Sequence, residues 1–116
     1  MKFQEISIFT DKVDTTTEFY QRLLGAKPVM REQGFAMFQL GEAQIIIHTL
    51  YDPQPQWPPC ESHTGFTVDN LDQAIAELAQ RGITMEVSPR KYEWGRSAYL
   101  RDPAGHLIEL HDAGPS

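Results

Sequence analysis

The sequence has little cysteine and no long apolar run. Cys60 is the only cysteine among 116 residues, so an internal disulfide and a cysteine-rich zinc site are both excluded. Any metal ion would therefore need histidine and carboxylate ligands. The first ten residues already carry Lys2 and Glu5, a pattern typical of neither a signal peptide nor a membrane span. These features predict a cytoplasmic protein without a membrane partner.

Basic residues are also scarce. The chain has 10 Lys and Arg against 16 Asp and Glu, which gives a formal net charge of −6. Binding to nucleic acid depends on clustered basic side chains, and Arg90 with Lys91 is the nearest approach to a cluster, so nucleic acid is disfavoured as a partner. The apolar share of 41% is ordinary for globular proteins and predicts one compact domain over residues 1–116.

Two segments of the chain share one pattern. The run from Glu5 to Asp14 aligns with the run from His63 to Asp72, 58 positions later, and each ends in Asp-x-(Val/Leu)-Asp. An internal repeat indicates that one structural module occurs twice. We expect the first module in residues 1–50, a proline-rich linker at 51–61 and the second module in 62–113.

Each module is predicted to begin with a strand and a helix. In the first helix, Thr15 and Glu18 have the spacing of a capping box, Phe19 and Leu23 lie on one apolar face, and Gly25 is the stop. The second helix is predicted to end at Gly82, and its apolar face comprises Leu71, Ala74, Ile75, Leu78 and Ala79.

Three β-prone runs follow each helix. They lie at 26–31, 35–40 and 43–50, and then at 83–87, 96–101 and 106–111. A helix can cover only one face of such a sheet, so the other faces must be buried in a different way. The predicted fold class is therefore α+β, with two βαβββ modules that form curved mixed sheets around a cup-shaped site.

Metal-capable side chains recur on matching strands of the two modules. His63 is the repeat counterpart of Glu5 on the opening strands, and we pair His48 with Glu109 on the closing strands at an offset of 61. Two imidazoles and two carboxylates without a thiolate suit a divalent ion such as Zn, Ni, Mn or Fe(II). The repeat thus predicts a metal site with the ligands Glu5, His48, His63 and Glu109.

Three stretches resemble the vicinal oxygen chelate superfamily, which includes glyoxalase I, methylmalonyl-CoA epimerase, extradiol dioxygenases, and fosfomycin and bleomycin resistance proteins. The stretches are EFYQRLLG at 18–25, HTGFTVD at 63–69 and RDPAGHLIEL at 101–110, and the resemblance extends over nearly the whole chain. Metal-dependent members have ligands at these strand positions, so the resemblance implies the same four ligands. Glu5 departs from the His or Gln more usual there, and His48 departs from the usual Glu or Gln.

The resemblance implies a metal-dependent enzyme that acts on a small molecule bound to the ion through adjacent oxygens. An isomerase or lyase step would use Glu5 or Glu109 to move a proton. An Fe(II) dioxygenase is an alternative, because His48, His63 and Glu109 could form a face of two histidines and one carboxylate.

Candidate substrate-binding residues lie near these ligands or in loops. Ser7 and Phe9 share a strand face with Glu5, because side chains alternate along a strand. Fosfomycin-type relatives hold an anionic substrate at positions similar to Ser97 and Tyr99, although a packed aromatic with a solvated serine would look the same. Two loop tryptophans can line the mouth of a pocket: Trp57 and Trp94. For His111 the sequence predicts a position on the protein surface without a role in the site.

Two other functions fit the resemblance. The chain could bind a small molecule or drug without chemistry, as bleomycin resistance proteins do, or it could transfer a thiol to a fosfomycin-like epoxide. Relatives of this size usually form dimers, so the resemblance also implies a homodimer. The sequence leaves open whether one chain or two supply the ligands of each site.

Overall fold

The computed structural model describes residues 1–113, which form eight strands and two helices. Their order is β1 (Lys2–Phe9), α1 (Val13–Leu24), β2 (Met30–Glu32), β3 (Phe35–Leu40), β4 (Ala43–His48), β5 (His63–Val68), α2 (Leu71–Gln80), β6 (Val87–Tyr92), β7 (Gly95–Arg101) and β8 (Leu107–Asp112). The order strand, helix and three strands occurs twice. This confirms the predicted α+β class and the two βαβββ modules.

The chain divides into two compact units. The first unit is Glu5–Ser62, and the second unit combines the chain from His63 onward with Met1–Gln4. In the first unit the strand order is β2-β3-β4-β1, and in the second it is β5-β8-β7-β6. In each unit the opening strand is parallel to the closing strand, while the remaining pairs are antiparallel. The strand pairing within each unit is therefore mixed, as predicted.

Helix α1 begins earlier than the sequence suggested. Its N-cap is Lys12, which makes no side-chain capping bond, and Thr15 lies inside the first turn with its hydroxyl donating to the Lys12 carbonyl. The predicted capping box at Thr15 and Glu18 is therefore wrong. The predicted stop is confirmed, because Gly25 adopts the left-handed conformation, φ 67°, that closes many helices.

The buried face of α1 also differs from the predicted one. Val13, Tyr20 and Leu24 pack with the apolar side chains of β3 and β4, whereas Phe19 and Leu23 are 52% and 64% exposed. Thr17 belongs to the buried face because its hydroxyl donates to the Val13 carbonyl at 2.7 Å, which satisfies it without water. Because a polar residue lies at the centre of the buried face, the spacing of apolar residues alone predicted the wrong face.

Helix α2 follows its predicted pattern closely. The Asn70 side chain accepts a hydrogen bond from the backbone N–H of Gln73, which caps the first turn. Leu71 and Leu78 are buried, and Ala74 and Ile75 pack beside them against the sheet of the second unit. Ala79, by contrast, is exposed. Neither α1 nor α2, the helices of residues 1–113, has the length and apolar character needed to span a membrane.

The sequence misplaced two strands. β2 was expected at 26–31 but begins only at Met30 and ends at Glu32, and β6 is displaced further. Strand β6 was expected at 83–87, but the backbone N–H of Ile83 instead donates a hydrogen bond to the Leu78 carbonyl at the end of α2. The strand begins at Val87 and contains Pro89, which has no N–H to donate. A break in the register between Val87 and Arg90, in the outermost strand of the order, accommodates the proline.

Candidate metal centre

His63 and Glu109 lie side by side on neighbouring strands. In the parallel pair β5–β8, His63 is opposite Leu107 and Gly65 is opposite Glu109, so both side chains project from one face of the sheet. Nε2 of His63 is 3.3 Å from Oε1 of Glu109, and each residue is 6% exposed. The structure therefore brings two predicted ligands of the same unit together in a buried position.

Ser97 on β7 fixes the other oxygen of Glu109. Its hydroxyl donates to Oε2 at 2.6 Å, and the residue has no solvent exposure. The same Oγ accepts from Nε1 of Trp94 at 3.1 Å. His111 places Nδ1 at 3.3 Å from this Oγ, and because the only hydroxyl proton points to Glu109, Nδ1 must be the donor. Ser97 is thus a hydrogen-bonded centre rather than a solvated serine.

The Glu109 carboxyl is stabilised in its charged form. Burial alone would raise its pKa, but hydrogen bonds from His63 and Ser97, together with the charges of His63 and His111, outweigh that effect and hold the pKa below its ordinary value. The carboxylate is consequently available as an anionic ligand at neutral pH.

Aromatic rings surround this hydrogen-bonded group. The ring of Tyr99 packs edge-on against His63 at 5.9 Å and against Tyr92 at 6.3 Å. Tyr92 is stacked on Trp94 with ring centres 4.8 Å apart. Tyr99 is therefore a packed aromatic that adjoins a candidate ligand, and its substrate-binding role stays a prediction.

An open groove of about 320 Å³ adjoins these residues. Its lining includes Tyr92, Trp94, Gly95 and His111. Trp94 is 50% exposed at the turn between β6 and β7, so one predicted loop tryptophan does lie at the mouth of a groove. The groove belongs entirely to the second unit.

In the first unit, Glu5 and His48 lie at different ends of the β1–β4 pair. Glu5 is opposite Gln44, whereas His48 is opposite Phe9. Four positions along a strand correspond to about 13 Å. Glu5 accepts a hydrogen bond at Oε2 from the buried Ser7 hydroxyl at 2.5 Å. Within one chain these two predicted ligands do not converge on a common point.

His48 belongs to an aromatic cluster. Its ring stacks on Phe9 at 5.1 Å and contacts Phe35 and Tyr51 edge-on, and its Nδ1 donates to the Thr49 carbonyl at 2.7 Å. Trp57, 47% exposed, packs against Tyr51. The structure thus places Phe9 in contact with His48, links Trp57 to both through Tyr51, and places Ser7 with Glu5.

The strand register corrects the repeat pairing of the closing strands. Glu109 lies opposite Gly65, and the matching position in the first unit, opposite Ser7, is Ile46. His48 lies opposite Phe9 and therefore corresponds to His111, which lies opposite Thr67. The offset on these strands is 63 rather than 61, because the connections of the second unit are longer than the sequence alignment assumed.

Two residues of the site were missed by sequence reasoning. His111 was expected at the surface, although its alignment with His48 at the offset of 63 would have singled it out. Tyr92 could not be found, because the sixth strand was predicted at 83–87 and in fact ends at Tyr92, five residues further on.

Comparisons with known proteins agree with this architecture. Residues 2–110 match the model of the Glyoxalase/Bleomycin resistance protein/Dioxygenase superfamily. The chain is 27% identical to virulence protein STM3117 of Salmonella typhimurium, over 94% of this chain and 82% of that protein. It is 29% identical to the glutathione transferase FosA of Serratia marcescens, over 91% and 77% of the two chains.

A solved structure gives the same result for the fold. A single-residue variant of the methylmalonyl-CoA epimerase of Streptomyces coelicolor, in complex with 2-nitronate-propionyl-CoA, superposes with a TM-score of 0.68 at 23% identity. The match covers 98% of this chain and 99% of the epimerase.

Proposed function

Because the chain belongs to the Glyoxalase/Bleomycin resistance protein/Dioxygenase superfamily, we propose that it is a divalent-metal-dependent enzyme for a small, oxygen-chelating substrate. The observation that carries this proposal is the buried pair His63 and Glu109, whose Nε2 and Oε1 are 3.3 Å apart. Two ligand atoms at about 2.1 Å from one ion lie roughly 3.0 to 3.4 Å apart. The spacing of the pair therefore fits a shared ion, which would replace the hydrogen bond between His63 and Glu109.

We propose His63, Glu109 and Glu5 as ligands. Glu5 is included because it is the repeat counterpart of His63 on an opening strand. The register removes the repeat argument for His48 as a fourth ligand, so His48 is left out of the proposed set, and its contribution to metal binding is tested separately below. One nitrogen and two oxygen donors suit Zn, Ni, Mn or Fe(II), as the sequence suggested.

The two carboxylates have different tasks in this proposal. A bound divalent ion would polarise a substrate carbonyl or hydroxyl and stabilise negative charge on its oxygen. Glu109 is held at Oε2 by Ser97, which leaves Oε1 for the ion, and so serves as a fixed ligand. Glu5, held at Oε2 by Ser7, is the carboxylate that moves a proton to or from the carbon beside the carbonyl. The reaction class is thus an isomerase or lyase proton transfer.

Thiol transfer to an epoxide is the second candidate. It is favoured by the similarity to a glutathione transferase and by Ser97 and Tyr99, which share the sheet face of Glu109. In that reaction the thiolate sulfur bonds to an epoxide carbon, the carbon–oxygen bond breaks, and the freed oxygen takes up a proton. Incubation with glutathione and fosfomycin would reveal a conjugate if this candidate is correct.

Metal content is the experiment that tests the proposal. Purified wild type, reconstituted with each candidate ion, should contain one ion per site by elemental analysis, and His63→Ala and Glu109→Ala should contain none. His106→Ala and Glu77→Ala are matched controls, because His106 bonds to Thr64 and Glu77 to Gln73 on exposed surfaces. A wild type that stays metal-free after reconstitution would refute the enzyme and make the drug-binding alternative the leading one.

Oxygen consumption separates the dioxygenase from the proton-transfer enzyme. An Fe(II)-loaded dioxygenase would consume oxygen with its substrate, whereas an isomerase or lyase would not.

The homodimer and the cytoplasmic location predicted from the sequence stay predictions. Light scattering of the purified protein would measure the oligomeric state.

A further inference from the structure

The hydroxyl of Tyr92 has no assigned role so far. Tyr92 is 9% exposed, and its hydroxyl is the one buried side-chain polar atom of residues 1–113 that lacks a hydrogen-bond partner. A buried hydroxyl left without a partner costs about 1 to 3 kcal/mol. Such a group beside a candidate site indicates a partner that arrives with the ligand.

Tyr92 projects from the sheet face that carries the candidate metal pair. It is opposite Gly95, and Gly95, Ser97 and Tyr99 alternate onto one face of β7. Ser97 bonds directly to Glu109, which fixes that face as the face of the site. The groove lined by Tyr92 and His111 adjoins this face, because His111 lies opposite Ser97.

The surroundings of the hydroxyl favour its protonated form, above all because the phenol is buried. Burial raises the pKa of Tyr92, and although the Arg90 charge opposes this, the negative charge of Glu109 raises the pKa further. The phenol therefore stays protonated at neutral pH and has a proton to donate. An electron-rich oxygen of a ligand is the complementary acceptor.

We propose that Tyr92 donates a hydrogen bond to an outer oxygen of a substrate whose adjacent oxygens are bound at the His63–Glu109 centre. This inference rests on the proposed function and narrows its substrate class. A 2-oxo or 2-hydroxy acid fits, because it chelates through the 2-oxygen and one carboxylate oxygen and leaves the second carboxylate oxygen for Tyr92. Substrates that chelate equally well but lack the outer oxygen would be disfavoured.

Two small chelators test the inference without knowledge of the true substrate. Oxalate and acetohydroxamate each bind a metal through two oxygens, but only oxalate has outer oxygens. Binding of both would be measured by calorimetry and by the visible spectrum of the Co²⁺-loaded protein. Tyr92→Phe should lower the affinity for oxalate by about 10-fold or more, since hydrogen bonds to charged groups are strong. The same substitution should leave the affinity for acetohydroxamate unchanged. The control Tyr20→Phe should change the affinity for neither chelator.

The outcomes are distinguishable. If wild type binds no Co²⁺, the proposed function fails and the inference fails with it. If Co²⁺ and both chelators bind but Tyr92→Phe changes neither affinity, or changes both equally, only the role of Tyr92 is refuted. Metal-free Tyr92→Phe should unfold at the same or a higher temperature than wild type, because no bond is lost. A lower Tm would show that the hydroxyl is already satisfied and would overturn the inference.

Discussion

Ser97 donates its hydroxyl proton to Oε2 of Glu109 over 2.6 Å, while Oε1 of the same carboxylate faces His63. The serine thereby holds the carboxylate in one orientation and leaves a single oxygen for an ion. The first unit has a similar pair, in which Ser7 donates to Glu5 at 2.5 Å. A serine next to each proposed acidic ligand is a feature of both units, although the two serines lie on different strands of their sheets.

The first prediction concerns this serine. Ser97→Ala should lower metal affinity by about 10- to 100-fold, the usual effect of removing a group that orients a ligand. The metal-free variant should lose about 1 to 3 kcal/mol of stability, because Glu109 and the Trp94 N–H lose their partner. Metal titration and denaturant unfolding measure the two effects. Ser88→Ala, an exposed serine on β6, is the control, and an unchanged metal affinity in Ser97→Ala would contradict the orienting role.

The second prediction separates His48 from the metal site. His48→Ala should keep the metal content of wild type, because His48 is four positions from Glu5 along the strands and packs among aromatic rings. Loss of that packing should cost about 1 to 3 kcal/mol in the free energy of unfolding. Elemental analysis and thermal unfolding give the two readouts. If His48→Ala loses the metal, His48 is a ligand, and Glu5, about 13 Å away along the same strand pair, could not share that ion with it within one chain.

Much of the fold was predictable because local and repeated patterns agree with it. The Glu5 and His63 strands, the β3 bounds and the stop at Gly25 follow from alternation, turn glycines and the repeat. The misplacement of β6 has a physical cause, since Pro89 fits only an outermost strand with a broken register, and a single sequence does not show which strand is outermost.

The candidate site was predictable only where it depended on alternation. His63 and Glu109 converge because they lie two positions apart across a parallel pair, which strand periodicity anticipates. The wrong pairing of His48 arose because an offset between closing strands depends on loop lengths, which an ungapped alignment does not determine. The orphaned hydroxyl of Tyr92 is a property of tertiary packing and has no sequence signature.

The third prediction is a pH effect of an ion pair beside the groove. A hydrogen bond and the charge of Arg96 hold the pKa of Asp72 below its ordinary value of 3.8. A lowered folded-state pKa stabilises the protein above pH 3.8, and this stabilisation is lost as the pH falls through the folded value. Asp72→Asn should therefore lower Tm slightly at pH 7, and the difference should vanish in strong acid. Glu77→Gln on the same helix is the control, and a Tm difference independent of pH would contradict the assignment.

The fourth prediction concerns the close approach of Gly95 to His111. Gly95 has φ 124°, and a Cβ there would lie 3.1 Å from Cε1 of His111. Gly95→Ala should thus combine backbone strain, which costs about 1 to 3 kcal/mol, with displacement of His111 from Ser97. Gly105→Ala is a matched control, because its φ is also positive, 87°, but nothing lies within 4 Å of the added Cβ. We expect both variants to lose stability, and only Gly95→Ala to shift the imidazole resonances of His111 in NMR spectra. Equal His111 spectra in the two variants would show that the imidazole accommodates the methyl group without leaving Ser97.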